Sequence, residues 1–364
     1  MTLHVFNPEH DLALASGLSN FTAPHAGRQL HYDLAWLPAL WAEEGDVILV
    51  ENVEKARRAV SRRKTRPCLL ADKHQLAALP VDRIDPWGWD KALRASLLRM
   101  GIREELMPTD EALDQIRQLS HRRTAAMLLP QLQDEGTTGT ACECTSIEHV
   151  RQLAAHYGRI VLKAPWSSSG RGIRFLDHQL PNVDNWLRNI IARQGSVMVE
   201  PHYRRVKDFG MEFMSDGQGT VTCLGLSLFH TANGAYTGNI LATEQAKREM
   251  LGRYIPLPLL DATQQRICHL LGEVFKDKYQ GPFGIDMMVV TPPDIPEGEE
   301  LSPLPGGRAG CLLHPCVEIN LRRTMGHVAL AAHHVCNPTN DDDLRYVMRI
   351  DYANNNYKLH ITRQ

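Results

Sequence analysis

The stretch Cys316-Val-Glu-Ile-Asn-Leu-Arg322 decides how the chain is interpreted, because apolar and polar residues alternate strictly along it. Side chains of a β-strand point alternately to its two faces, so the apolar residues share one face and the polar residues share the other. The polar face carries Glu318, Asn320 and Arg322. One strand face is therefore predicted to present a carboxylate, an amide oxygen and a guanidinium in a row.

A second predicted strand, Phe283-Gly-Ile-Asp-Met-Met-Val-Val290, places Asp286 inside a run of apolar strand formers. Aspartate is depleted in strands, and burying an unpaired carboxylate costs free energy, so a cation is expected beside it. Hard oxygen ligands from few side chains, completed by phosphate, are what Mg²⁺ prefers. We therefore predict that Asp286, Glu318 and Asn320 bind a metal ion. A half-buried strand with a solvated polar face is the alternative, and it does not explain the apolar surroundings of Asp286.

A third predicted strand ends at Lys163, and a loop rich in serine and glycine follows it up to Gly172. Glycine lets backbone N–H groups approach phosphate oxygens closely, and a lysine adds positive charge beside them. The loop has neither the GxxxxGK[ST] nor the GxGxxG pattern, and neither pattern occurs in the chain. Taken alone, the segment is either a phosphate-binding loop or a flexible surface hairpin.

A fourth strand is predicted over Ser196-Val-Met-Val-Glu200, and Asp208 lies eight residues beyond its terminal carboxylate. An extended backbone edge can bind an adenine ring, and a carboxylate can bind ribose hydroxyls. Without the other segments, an exposed residue at the end of a strand is the simpler explanation of Glu200.

Residues 1–118 alternate between strand-like and helix-like segments, which predicts a parallel sheet covered by helices. The predicted strands are 3–6, 46–50 and 68–71, and the predicted helices are 53–64 and 91–100. Ligands bind at the carboxyl ends of the strands in such sheets, so the turn Asn7-Pro-Glu-His-Asp11 is either a ligand-binding loop or a polar capping turn. Further along, helices are predicted at 120–133 and 146–156, and a Pro- and Gly-rich insertion between two strands at 291–310.

The composition excludes several classes of protein. The chain has 364 residues, and its 40 Lys and Arg against 42 Asp and Glu give a net charge of −2, which removes the electrostatic reason to expect nucleic-acid binding. A membrane span needs an apolar run of about 18 residues or more, which the chain lacks. The first residues do not have the pattern of a signal peptide, and the eight cysteines are scattered as in proteins with reduced thiols. We therefore predict a cytoplasmic protein.

The ordered set of segments resembles the ATP-grasp superfamily of ATP-dependent ligases. The set comprises a strand lysine before a Ser/Gly loop, a strand ending in Val-Glu200, Gly-Ile-Asp286 and Glu318-Ile-Asn-Leu-Arg322. Its order and spacing are more specific than any single motif. The resemblance covers residues 120–335 and implies a combined α/β and α+β fold. It divides the chain into a Rossmann-like pre-ATP-grasp domain (1–118), an ATP-grasp subdomain with the phosphate loop (119–194) and a second subdomain with the metal site (195–364).

The resemblance also implies a role for each matching residue. Lys163 would contact the α- and β-phosphates of ATP, and Arg322 would stabilise the transferring phosphoryl group. Either Arg122 or Arg123 would supply another basic residue before the lysine strand. The metal ligands Asp286, Glu318 and Asn320 would hold Mg²⁺, or Mn²⁺ in its place. The remaining ATP contacts are assigned to Ser167, Ser168, Ser169, Gly170 and Gly172 in the phosphate loop, to the backbone of Met198 and Val199 beside Glu200 at the adenine, and to Asp208 at the ribose.

Candidate substrate contacts are chosen from the chemistry of the side chains alone, because the part of the sequence expected to bind substrate matches no specific branch of the superfamily. Residues 229–239 are rich in glycine and hydrogen-bonding side chains. This segment either closes over a substrate with His230, Asn233, Tyr236 and Asn239, or is a hairpin that turns at Asn233-Gly234. Arg323 and His327 follow the metal strand and are candidates for binding a carboxylate or acyl-phosphate. His327 is alternatively a residue that caps or packs at the start of a helix.

Together these features predict an ATP- and Mg²⁺-dependent ligase that joins a carboxylate to an amine, or to a thiol, through an acyl-phosphate. Two alternatives are an ATP-grasp kinase that phosphorylates a small molecule, and a protein that binds ATP without turning it over. The expected partners are small-molecule carboxylates and amines, with neither nucleic acid nor membrane. Ligases of this kind often form homodimers, so the resemblance makes a homodimer an expectation for this chain too.

Overall fold

The structure is a computed structural model, and it describes residues 1–167, 172–176, 183–232, 235–293, 310–337, 339 and 341–364. The strands are β1 (Thr2–Val5), β2 (Val47–Leu49), β3 (Leu69–Ala71), β4 (Arg83–Pro86), β5 (Cys142–Cys144), β6 (Ile160–Lys163), β7 (Ile173–Leu176), β8 (Val197–Pro201), β9 (Arg205–Ser215), β10 (Val221–Ala232), β11 (Ala235–Leu241), β12 (Gly281–Val290), β13 (Leu312–Asn320), β14 (Tyr346–Ala353) and β15 (Asn356–Arg363). The helices are α1 (His10–Ser16), α2 (His25–Leu34), α3 (Val53–Val60), α4 (Lys91–Arg99), α5 (Asp110–Leu119), α6 (Arg123–Leu128), α7 (Ile147–Tyr157), α8 (Asp184–Gln194), α9 (Glu244–Leu251), α10 (Leu257–Phe275) and α11 (Met325–Cys336).

The first sheet is parallel and contains β3, β2, β1 and β4 in that order. This confirms the architecture predicted from the alternation of strands and helices. Strands β1 and β2 are buried along their whole length, as a sheet covered on both faces requires. Helix α3 ends at Val60 and not at the predicted Lys64, because Ser61-Arg-Arg-Lys64 offers no apolar side chain to pack on the sheet.

The second sheet is antiparallel, in the order β5-β8-β6-β7. Its strand β6 is buried and ends at Lys163, as predicted. Strand β8 pairs with both β5 and β6, so this sheet continues past residue 194, where the sequence places the limit between the two ATP-grasp subdomains. Local sequence does not show this, because β8 joins β6 across a long separation in the chain.

The third sheet has seven antiparallel strands, in the order β13-β12-β9-β10-β11-β14-β15. Strand β12 pairs with β13 on one side and with β9 on the other, and Asp286 stands opposite Glu318. The insertion predicted at 291–310 therefore connects two paired strands. Residues 294–309 of that insertion lie outside the described residues.

The apolar face of the seven-stranded sheet packs on α10. Phe213 of β9 stacks on Phe283 of β12 with ring centroids 5.1 Å apart, and Phe275 of α10 meets Phe283 edge-on at 5.0 Å. Helix α6 joins this core but is shorter than the helix predicted at 120–133. Pro130 lacks the N–H that the next α-helical hydrogen bond needs, and residues 129–132 form a 3-10 turn instead.

The parallel sheet and the seven-stranded sheet share an apolar cluster. Phe6 and Trp87 from the first belong to the same group of buried residues as Val328 of α11 and Met348 of β14. On the same side of the molecule, Asp33 of α2 forms an ion pair with Lys55 and accepts a hydrogen bond at 2.7 Å from the backbone of β15. The first and last parts of the chain are therefore joined by apolar packing and by a buried carboxylate.

None of the helices in the described part of the chain combines the length and the apolar character needed to cross a membrane. All eight cysteines are free, and Cys144, Cys311 and Cys316 are buried.

The aromatic stack behind the seven-stranded sheet gives a stability prediction. Replacing the fully buried Phe283 by alanine removes the ring between Phe213 and Phe275, and we expect a loss of about 3–5 kcal/mol in the free energy of unfolding. Phe175→Ala is the matched control, since that ring is 69% exposed and its loss should cost less than about 0.5 kcal/mol. Urea denaturation measures both variants. Equal losses in the two would contradict the assignment of this core.

Candidate functional site

Three carboxylates lie on neighbouring strands of the seven-stranded sheet. Asp286 on β12 is opposite Glu318 on β13, and Glu212 lies on β9, the other neighbour of β12. Glu212 is buried, accepts a hydrogen bond from Thr324 Oγ1 at 2.8 Å and lies 2.9 Å from His327 Nδ1. We call Glu212, Asp286 and Glu318 the acidic cluster.

Glu212 was missed by the sequence analysis, although the sequence contains a signal for it. Phe209-Gly-Met-Glu-Phe-Met214 also places one carboxylate inside an apolar strand. The reasoning that singled out Asp286 applies equally to this stretch. His327, considered as a substrate contact, is the third residue of α11, and its ring accepts a hydrogen bond from the backbone N–H of Thr324, so its capping alternative is confirmed.

The acidic cluster is short of positive charge around Asp286. Burial, followed by the negative charges of Glu318 and Glu212, raises the pKa of Asp286 to about 7. The Asn320 amide donates a hydrogen bond to Asp286 at 3.2 Å, which opposes this rise. Within the described residues, no lysine or arginine forms an ion pair with Asp286. Such a group of partly uncompensated carboxylates favours the binding of a cation.

Among the described residues, no three His, Cys, Asp or Glu side chains converge closely enough to hold a metal ion by themselves. A cation at the acidic cluster would need the amide oxygen of Asn320 and oxygens from outside the protein as further ligands. Mg²⁺ commonly binds in this way, through one or two carboxylates together with phosphate and water. The donor set is therefore suited to Mg²⁺ bound together with a phosphate-bearing ligand.

Arg122 connects the acidic cluster to the predicted phosphate loop. Its buried guanidinium donates to Glu318 at 2.7 Å and to Ser167 Oγ at 2.9 Å. Arg123, the alternative in the sequence analysis, is more exposed and lies 3.6 Å from Glu143. The geometry thus places Arg122, and not its neighbour, beside Glu318.

Lys163 and Glu200 form a buried ion pair in the four-stranded sheet, with 2.7 Å between Nζ and Oε2. The sequence analysis assigned these two residues to phosphate and adenine separately, and the structure brings them together. Met198 and Val199 are paired with β6 on one side and with β5 on the other. Their backbone groups are therefore engaged within the sheet, and no free edge for an adenine ring exists at these two residues.

Part of the predicted phosphate loop can be described. Ser168, Ser169 and Gly170 lie outside the described residues. At Gly172, a Cβ atom would lie 2.4 Å from the Cβ of Ser167, so a larger residue would not fit in this arrangement. The close approach of Ser167 and Gly172 closes the base of the loop.

Asp208 and Asn239, predicted to contact ribose and substrate, are engaged within the protein. Asp208 forms an ion pair with Arg205 at 2.9 Å, and burial raises the pKa of its carboxyl group. Asn239 is buried and donates to Ser227 Oγ at 3.0 Å. The predicted contacts His230, Tyr236 and Asn239 lie on β10 and β11, which pair as a hairpin, and Asn233 lies outside the described residues.

The two consecutive arginines after β13 both reach the N-terminal part of the chain. Arg322 forms a two-point ion pair with Asp11 of α1, at 2.7 and 2.8 Å, and also donates to Asn320 at 3.0 Å. Arg323 donates to Asp85 of β4 at 2.7 Å and lies over the ring of Trp41, and its contact with substrate stays a prediction. The described contacts of Arg323 thus fasten two parts of the protein together.

A cavity of about 620 Å³ lies at the carboxyl ends of β1 and β2. Asn7, Glu9, His31 and Asp90 are among its lining residues, so the turn at 7–11 contributes to it as the ligand-loop alternative predicts. Burial lowers the pKa of His31, but the hydrogen bond to Glu9 together with the negative charges of Glu9 and Glu51 outweighs it, so the pKa is raised overall. The polar groups and the size of the cavity are suited to a small, polar ligand.

His314 on β13 is a buried histidine without a hydrogen-bond partner on either ring nitrogen within the described residues. Its ring meets the ring of Tyr203 edge-on, with the centroids 5.3 Å apart. Burial, with the nearby charge of Lys163 as a second cause, lowers the pKa of His314 to about 3. The imidazole is therefore neutral in the folded protein at ordinary pH.

No protein-family model matches the sequence, and comparison with curated proteins finds no match. Solved structures do match. The biotin carboxylase domain of the Hydrogenobacter thermophilus 2-oxoglutarate carboxylase, determined with MgADP, ADP and bicarbonate, is 12% identical over 85% of this chain and 69% of that chain, with a TM-score of 0.52. Biotin carboxylase from Campylobacter jejuni, determined in complex with βγ-ATP, is 11% identical over 98% of this chain and 77% of that chain, with a TM-score of 0.50. The chain has the ATP-grasp fold with an N-terminal domain, as the sequence predicted.

The neutral, buried His314 predicts a pH dependence of stability. The unfolded chain binds a proton at this side chain below a pH of about 6.5, whereas the folded protein does not until about pH 3, so stability is lost as the pH falls through this range. Between pH 7 and pH 5, wild-type protein should lose about 2 kcal/mol more unfolding free energy than His314→Phe. Denaturation at the two pH values measures the difference. The exposed His149→Phe is the control, and a wild-type slope in His314→Phe would contradict the prediction.

Proposed function

We propose that this protein is an ATP- and Mg²⁺-dependent ligase that joins a carboxylate to an amine through an acyl-phosphate. The observation that carries the proposal is the acidic cluster within an ATP-grasp fold, with Arg122 bonded to Glu318 and Arg322 bonded to Asn320. Carboxylates and guanidinium groups in one site are suited to holding a metal–phosphate complex and stabilising its transition state.

Mg²⁺ would be held by Asp286, Glu318 and Asn320. The raised pKa of Asp286 supports this assignment, because it reflects burial and, after it, the like charges of Glu318 and Glu212, and a divalent cation would offset both. When bound, the ion would supply charge stabilisation at the phosphoryl oxygens. The donors are all oxygens, so Mn²⁺ is also compatible with this set.

The phosphates of ATP would be bound by Lys163, Arg122 and the loop that begins at Ser167. Lys163 is held in place by Glu200, and Arg122 by Glu318 and Ser167. Both cations are buried, so their attraction for phosphate would be screened less than at the surface. In the site as described, Arg122 neutralises part of the acidic cluster, and phosphate would compete with Glu318 for its guanidinium.

The reaction would proceed in two displacements. A carboxylate oxygen of the substrate attacks the γ-phosphorus, the bond to the β-phosphate oxygen breaks, and ADP leaves with its electron pair. The amine nitrogen then attacks the acyl carbon, the C–O bond to phosphate breaks, and loss of one proton gives the amide and inorganic phosphate. The chain's own contribution is positioning and charge stabilisation, with Lys163 and Arg322 as the principal cations.

The carboxylate or amine substrate would enter through the cavity at the carboxyl ends of β1 and β2. Its lining by Asn7 and Glu9 supports this location, since the same turn continues to Asp11, which contacts Arg322. The open carboxyl end of a parallel sheet is the usual ligand position in α/β folds.

A direct test measures ADP and inorganic phosphate released from Mg·ATP in the presence of pooled amino acids, short peptides and small carboxylic acids. We expect phosphate release that depends on a particular pool, and splitting that pool then identifies the substrates. Release of ADP without free phosphate would indicate a kinase and contradict the ligase. Mg·ATP that binds and stays intact with every pool would also contradict the ligase.

The acidic cluster gives the corresponding mutational prediction. Asp286→Asn and Glu318→Gln keep the shape of each side chain but remove the negative charge, and each should lower turnover by about 100-fold or more. The exposed Glu249→Gln is a matched control that should retain wild-type turnover. Wild-type turnover in Asp286→Asn would show that this carboxylate binds no catalytic metal.

A further inference from the structure

The contact between Asp11 and Arg322 joins the first helix of the chain to the end of the metal strand across 311 residues. Nε and Nη2 of Arg322 donate to the two carboxylate oxygens of Asp11 at 2.7 and 2.8 Å. Both side chains are largely buried, with 17% of Arg322 and 20% of Asp11 exposed. A two-point bond of this kind fixes the plane of a guanidinium as well as its position.

The remaining bonds of Arg322 further restrict it. Nη1 donates to the carbonyl oxygen of Arg323 at 3.0 Å, and Nη2 donates to Asn320 Oδ1 at 3.0 Å. A guanidinium has five N–H donors, and four are used by these bonds. Within the described residues, one Nη1 hydrogen is left for a ligand.

Arg322 also feels the negative charges of Glu318 and Asp286. If Asp11 were absent, those carboxylates would be the strongest remaining attraction for the guanidinium. Arg322 would then turn toward them and lose the orientation that its two-point bond gives it. The carboxylate of Asp11 therefore fixes the direction in which the guanidinium points beside the acidic cluster.

We propose that Asp11 is a positioning residue, supplied by the N-terminal part of the chain, that holds Arg322 in the orientation which phosphoryl transfer requires. This inference rests on the proposed function, because it assumes that Arg322 acts on the transferring phosphoryl group. It adds that the N-terminal part of the chain completes the phosphoryl-transfer site as well as lining the substrate cavity.

A purely structural role for Asp11 makes a different prediction, and Asp33 offers the matched comparison. Asp33 is also an ion-paired aspartate in the N-terminal part, and its carboxylate binds the backbone of Tyr357 at 2.7 Å. Among the described residues, its partners Gln29, Lys55 and Tyr357 include none of the proposed catalytic groups. Asp33→Asn therefore tests the loss of a fastening carboxylate alone.

The experiment uses the full chain and compares Asp11→Asn, Asp33→Asn, Arg322→Lys and the double variant Asp11→Asn/Arg322→Lys. For each, thermal unfolding, kcat and KM for Mg·ATP with the responsive substrate pool, and calorimetric binding of Mg·ADP are measured. Binding of Mg·ADP with aluminium fluoride, which mimics the transferring phosphoryl group, is measured as well. This last probe does not require the substrates to be known.

Asp11→Asn should lower kcat, and the affinity for Mg·ADP with aluminium fluoride, by about 100-fold. KM for ATP and the affinity for Mg·ADP should stay within about 3-fold of wild type, because the lost contact acts on the transition state. Asp33→Asn should lower the unfolding temperature without lowering kcat. The double variant should be no slower than Arg322→Lys, since both changes disturb the same group.

The positioning role would be overturned if Asp11→Asn matched wild type in kcat and in the binding of Mg·ADP with aluminium fluoride. It would also be overturned if Asp11→Asn and Asp33→Asn lost kcat equally. Either result would leave the ligase proposal standing. Wild-type protein that fails to bind Mg·ADP would overturn the proposed function itself. If Asp11→Asn does not fold, Asp11→Glu replaces it. That variant keeps the charge but displaces the guanidinium, and wild-type kcat in a folded Asp11→Glu would also overturn the proposal.

Discussion

The rest of the site must accommodate the negative charge of three carboxylates that lie on neighbouring strands. Glu212, Asp286 and Glu318 can share the middle of a sheet only if their surroundings offset their mutual repulsion. Glu318 receives a guanidinium, and Glu212 receives a hydroxyl and an imidazole. Even the backbone follows this constraint, since a Cβ at Gly326 would lie only 1.8 Å from a carboxylate oxygen of Glu212.

The sequence was sufficient to predict the features that depend on the alternation of apolar and polar residues within one element. Asp286 stands out because it interrupts an apolar strand, and Glu318, Asn320 and Arg322 share a face because side chains alternate along a strand. The parallel sheet could be predicted for the same reason, since each strand and helix is short and carries its own pattern. These features need only the residues within one element, so no knowledge of distant pairing is required.

Features that depend on pairing between distant segments could not be predicted. The placement of Met198 in the interior of a sheet depends on β5 and β6, which lie elsewhere in the chain. The partner of Arg323 is an aspartate of β4, and that of Lys163 is a glutamate of β8. For Arg323 and Lys163 the residue type suggested an open, ligand-binding side chain, and for Met198 the resemblance implied a free backbone edge, whereas the fold supplies a partner from within the protein in each case.

The long separation of the Asp11 and Arg322 contact has a consequence for biosynthesis. The parallel sheet is translated before the seven-stranded sheet, and Asp11 and Asp85 precede their arginine partners by 311 and 238 residues. At about 5–20 residues per second, a ribosome needs roughly 15–60 s to deliver the first of these partners. Throughout that interval Asp11 and Asp85 lack their arginine partners, and the apolar surface that later packs on α11 and β14 is uncovered, so the maturation of this segment depends on parts of the chain that are translated much later.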